Sequence, residues 1–188
     1  MIMANVVSSV VNGIKGGLKG ALSGTADLGG TVIDSVKDIT ATTIKGASDI
    51  VVKGIQLPAS IVQGAFESIK NIGKSSINLV KGIVDGAVQG SMEAGVEQKD
   101  AVQGSVRQAI HAAKEIGVDV GEVAVEAIRG SVDGVRKVGG DTLEATKNSI
   151  IAALDAAAEI SAESANAVKN SVKEGVNGAK EILEEIKK

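Results

Sequence analysis

When residue numbers are divided by eleven, the remainder predicts whether a position is apolar or polar. Remainder 0 reads Val11, Leu22, Ile33, Ile44, Ile55, Phe66, Ile77 and Val88, then, after Lys99, Ile110, Gly121, Val132, Leu143 and Leu154. Remainder 6 includes Leu28, Ile39, Ile50, Ile61, Ile72, Ile83, Ile116 and Ile160, whereas remainder 1 is polar without exception from Asn12 to Lys188. Every Asp, Glu, Lys and Arg except Lys99 and Lys187 leaves remainder 1, 4, 5, 8 or 9.

Eleven residues fill three α-helical turns at about 3.67 residues per turn, near the natural helical value. On a helical wheel the five charged slots then occupy one arc of roughly 130°, and the other six form a wide, almost charge-free face. A strand period of two cannot produce this sorting. The pattern therefore predicts an all-α protein: one very long amphipathic helix over residues 1–188, a single continuous hendecad region. Such helices are expected to gather in a multi-helix assembly that is straight or slightly right-handed in its supercoil.

Conventional turn signals occur at Gly16-Gly17, Gly29-Gly30, Pro58 and Gly139-Gly140. A hairpin loop that inserts residues foreign to the repeat would shift the charge register, and the register does not shift at any of them. A turn built from whole repeats would pass this test unseen. Pro58 crowds the carbonyl of residue 54 and removes a hydrogen bond, so a kink over residues 54–58 is expected.

Composition sharpens the picture. The chain has 188 residues, 24 Gly, one Pro, no Cys, no Trp, no Tyr and one Phe. In helix interiors that many glycines would cost on the order of 20 kcal/mol relative to alanine, more than a domain's net stability. An isolated helix should melt. The glycines, however, lie on stripes. Remainder 2 holds Gly13, Gly24, Gly46, Gly90, Gly134 and Gly178; spacings such as Gly82-x-x-x-Gly86-x-x-x-Gly90 and Gly130-x-x-x-Gly134 stack small residues on successive turns. Such seams let helix backbones approach closely. A second glycine stripe at remainder 7 implies two neighbours for every helix.

The charges are sorted by sign as well. Every charge at remainder 4 is positive: Lys15, Lys37, Lys70, Lys81, Lys114, Arg136, Lys147, Lys169 and Lys180. Remainder 5 carries Asp27, Asp38, Asp49, Glu93, Glu115, Glu126, Glu159 and Glu181, with Lys137 the exception. Pairs three apart within one helix, such as Asp133 with Arg136, account for alternation of sign. A constant sign along each edge points instead to lateral pairing, basic edge against acidic edge, as flanking charges act in coiled coils.

The segment Val172-Lys173-Glu174-Gly175-Val176 resembles the core of the eleven-residue repeats of synucleins, and the composition is similar to theirs. That resemblance, shared with perilipin-type coats, implies a helix formed on a lipid surface. The whole chain also resembles proteins made of uninterrupted hendecad coiled coil, a likeness of architecture with no site residues to carry over.

No catalytic, cofactor-binding or metal-binding residues are indicated. His111 is the lone histidine and sits in the always-polar slot; Ser and Thr lack a partner base. A net charge of −3 gives no reason to expect nucleic acid. The longest charge-free run, residues 1–14, is too short to span a membrane and lacks the basic start of a secretory signal, so a cytoplasmic protein is the default expectation. These readings converge on a non-enzymatic structural protein. Its expected partner is itself, in assemblies of more than two helices forming a fibre, tube or sheet. The alternative is an amphipathic coat on a membrane, lipid body or other hydrophobic surface.

Overall fold

The computed structural model describes residues 28–46, 56–70 and 76–187, with the isolated positions 12 and 16. Among them the chain is all-α, but the single long helix is replaced by eight shorter ones. They are α1 (Leu28–Gly46), α2 (Gln56–Lys70), α3 (Ser76–Glu93), α4 (Gln98–Ile116), α5 (Val120–Lys137), α6 (Thr142–Ile160), α7 (Ala162–Gly175) and α8 (Ala179–Ile186). The expectation of a continuous hendecad coiled coil over 1–188 is thereby corrected.

The physical reason is a doubling of the repeat. Helices α3 to α6 begin at Ser76, Gln98, Val120 and Thr142, each 22 residues after the last. Two hendecads thus make one helix and its turn, and the turn residues belong to the repeat. The charge register runs through each reversal without a slip. Gly95, Gly117 and Gly139, all at remainder 7, are the left-handed residues that end α3, α4 and α5, with φ of 93°, 77° and 77°. The amides that follow close the same Schellman pattern each time: Val96 N–H to Ser91 O at 2.9 Å, Val118 N–H to Ala113 O at 3.0 Å, Gly140 N–H to Val135 O at 2.9 Å. Two residues after each glycine an acidic residue begins the next helix. Asp119 accepts from the Glu122 amide at 2.8 Å, and Asp141 accepts from those of Leu143 and Glu144 at 3.0 Å.

Pro58 is the third residue of α2, where a proline is tolerated because first-turn amides have no helical acceptor to lose. Residues 47–55, which include much of the expected kink, fall outside the described part.

The helices form two layers. Helices α1, α3, α5 and α7 lie side by side in one, and α2, α4 and α6 in the other, so each helix packs on the next but one as well as on its sequence neighbour. Same-layer neighbours run parallel, because Gly86 and then Gly90 of α3 meet Ile33 and then Lys37 of α1 in ascending order. This is a stack of αα-hairpins, in which each two-helix unit contacts only the units next to it. The apolar face predicted from the repeat becomes the space between layers. Val84, Val106, Ile128 and Ile150 are buried there, along with Phe66 and many alanines. Ser131 and Ser149 share a 2.5 Å hydroxyl contact between α5 and α6.

Helix α7 is cut short. Gly86 and Gly130 stand four hendecads apart, and the residue four hendecads further on is Glu174. A glutamate cannot approach the α5 backbone as those glycines approach theirs, and α7 ends one residue later. The chain turns through Gly178 (φ 75°) into α8, whose Ile182 and Leu183 are buried. Lys147 of α6 holds Glu185 of α8 at 3.0 Å.

Candidate functional site

The features singled out by the sequence are contact surfaces between helices, and the structure places most of them between helices of the same chain. Gly90 of α3 and Gly134 of α5 lie on backbone-to-backbone seams. A Cβ on Gly90 would stand 2.5 Å from Lys37 O, and one on Gly134 would stand 2.8 Å from Asp85 O. Gly86 and Gly130 extend the same two seams, Gly130 directly over the Lys81 carbonyl. Gly46 is the last residue of α1, Gly178 is a turn glycine and not a seam residue, and Gly13 and Gly24 lie outside the described residues.

The edges form ion pairs along the same seams. Lys37 of α1 meets Glu93 of α3 at 3.4 Å, a basic-edge residue on an acidic-edge residue. Lys81 of α3 reaches Asp133 of α5 at 2.7 Å, and Arg107 with His111 of α4 engages Glu159 of α6, the histidine at 3.2 Å. Arg136 and Glu126 instead pair within their own helix, with Asp133 and Arg129. Asp38, Lys114, Glu115, Lys180 and Glu181 are exposed, and Lys169 is half-buried. Lys15, Asp27 and Asp49 lie outside the described residues, as does the side chain of Lys70.

Two carboxylates are tuned by this arrangement. Partial burial pushes the Asp133 carboxyl up, but hydrogen bonds and charge from Lys81 and Arg136 outweigh that and hold it below the ordinary 3.8. The hydrogen bond from Arg107 is the main influence holding Glu159 below 4.5, with His111 adding to it.

Sequence reasoning missed the most buried pair. Asp85 is 1% exposed in the middle of α3, yet accepts from Gln89 at 2.5 Å and from Lys137 of α5 at 2.6 Å. Lys137 is the one basic residue in the acidic slot, and that exception was the available signal. Asp85–Lys137 and Arg107–Glu159 share a separation of 52 residues, as do Lys81 and Asp133. Gln98 was also missed. Its amide donates to Asp141 O at 2.8 Å and accepts from Asp141 N–H at 3.0 Å, tying two turns together.

A groove of about 470 Å³ opens where α7 stops. Ile128, Val132 and Leu143 give it an apolar lining, and Lys81, Arg129 and Arg136 surround the single carboxylate Asp133. Arg129 donates to the carbonyl of Gly175 at 2.9 Å, fixing the broken end of α7 to α5. Among the described residues no group of three or more His, Asp or Glu is placed to hold a metal ion. No helix among them is long and apolar enough to cross a membrane.

No family model matches this chain, and no curated protein matches it. Among solved structures it is similar to the crystal structure of the de novo designed helical repeat protein DHR7. The identity is 19%, the match covers 92% of this chain and 95% of that one, and the TM-score is 0.55. The likeness concerns the fold, a stack of repeated helices.

Proposed function

We propose that the protein is a non-enzymatic structural protein whose hairpin stacks associate with one another into an extended assembly. One observation carries this reading. Among the described residues the two exposed large hydrophobic side chains, Leu143 (64% exposed) and Ile186 (44%), both belong to the last units of the stack. Everywhere else in the described part the wide apolar face is consumed within the chain. Association is therefore directed to the end of the stack and not to the length of each helix. Glycine seams and edge pairs serve inside the molecule, where they fix how one unit sits on the next.

Sedimentation velocity across a concentration series tests this. The wild-type protein is expected to associate as concentration rises, and the double variant Leu143→Lys, Ile186→Lys to remain monomeric. A wild-type protein that stays monomeric throughout would remove the reading.

The surface-coat alternative retains one support, the synuclein-like segment at Val172–Val176. It requires the stack to open, because the apolar face is internal. Lipid vesicles should then abolish contacts such as Arg107–Glu159 while preserving helicity.

A further inference from the structure

The two exposed apolar side chains at the end of the stack stand in surroundings of opposite charge. Leu143 lies on the groove beside Val132 and Ile128, where Lys81 and Arg136 share Asp133 and Arg129 pairs with Glu126 at 2.7 Å. The Asp133 carboxylate has Lys81 Nζ at 2.7 Å and Arg136 at 2.6 Å. The side chain of Arg136 is 63% exposed, so its positive charge is presented to solvent at the rim. Ile186 ends α8, a helix that buries Ile182 and Leu183 and exposes Glu181, Glu184 and Glu185. One surface is an apolar groove with one cation more than its paired carboxylates; the other is an apolar knob where three exposed carboxylates stand against exposed Lys180 and Lys187.

Both halves of this complementarity belong to the same chain and the same end of the stack. Within one copy, the Lys147–Glu185 pair and the burial of Ile182 and Leu183 hold α8 in place, leaving Ile186 outward. A surface that carries both a patch and its complement satisfies itself with a two-fold related copy. We propose that two copies pair through their C-terminal ends, α8 of each seated in the groove of the other. Ile186 then lies against Leu143 and Val132, and Glu181 and Glu184 face Arg129 and Arg136. The inference rests on the self-association reading and names its first interface. Charge sets partner and register, and burial of Leu143 and Ile186 supplies the attraction.

A charge swap tests it. Arg136→Glu and Glu184→Arg should each weaken self-association about tenfold or more in sedimentation equilibrium. Mixed in equal amounts, the two variants should regain wild-type affinity, because each groove then faces a tail of opposite sign. That recovery excludes misfolding as the cause of the single-variant losses. If the wild type is monomeric to roughly 100 µM, the self-association reading and this interface both fall. If the wild type associates but both variants match it, or the mixture recovers nothing, this interface is wrong while self-association stands.

Discussion

At the scale of single residues, the glycines divide into two kinds that the repeat alone does not separate. Gly117 sits at φ 77° with open space around it; Gly130 has an ordinary helical backbone but lies over the Lys81 carbonyl. Alanine should therefore fail at each for different reasons. Gly117→Ala forces a left-handed side-chain residue and is expected to cost about 1 kcal/mol, with Gly117→Asn costing less. Gly130→Ala gains helix propensity, but its Cβ pushes α5 off α3, and a net loss of about 1–3 kcal/mol is expected. Urea denaturation of the three variants checks this. Stabilisation by Gly130→Ala would mean that the α3–α5 seam is looser than described.

At the scale of helices and their contacts, the seams couple stability to pH. Asp133 titrates lower in the folded protein than in the unfolded chain. Its contribution is therefore complete above the ordinary value of 3.8 and is lost as pH falls through the lower folded value. Asp133→Asn removes this dependence while weakening the Lys81 and Arg136 contacts. Denaturation midpoints should fall less steeply between about pH 5 and pH 3 in the variant than in the wild type. Equal slopes would mean that Asp133 is not paired in solution.

The helices were legible in the sequence, because a period near 3.67 has no other backbone solution. The turns were not legible from the charge register, since they fall within the repeat. Their signal lay at twice the period. Remainder 7 alternates Gly73, Val84, Gly95, Val106, Gly117, Ile128, Gly139 and Ile150. From position 84 to 150 the β-branched members are buried and the glycines end helices. Remainder 9 alternates likewise, with Glu97, Asp119 and Asp141 ahead of helices and Gly86, Gly130 and Ala152 inside them. These acidic residues of the slot thus mark helix starts. The groove beside Leu143 was beyond reach, because it depends on where α7 fails to continue.

For the whole molecule, hendecads that would assemble helices from separate chains are folded back on one another within one chain. Doubling the repeat turns an intermolecular seam into an intramolecular one. It also solves the glycine problem, because each seam glycine gains a neighbouring backbone at close range, where dispersion contacts offset its poor helix propensity. The absence of cysteine makes a direct test straightforward. Spin labels at Gln103→Cys and Asp155→Cys, on α4 and α6, sit one turn below the Arg107–Glu159 pair. Electron–electron dipolar spectroscopy on labelled protein diluted with unlabelled protein reads their separation within one molecule. Parallel neighbours predict about 10–20 Å, given interaxial distances of 8–10 Å plus the labels. A distance near 80 Å, the length of 52 residues of unbroken helix at about 1.5 Å each, would contradict the hairpin stack and restore the continuous rod.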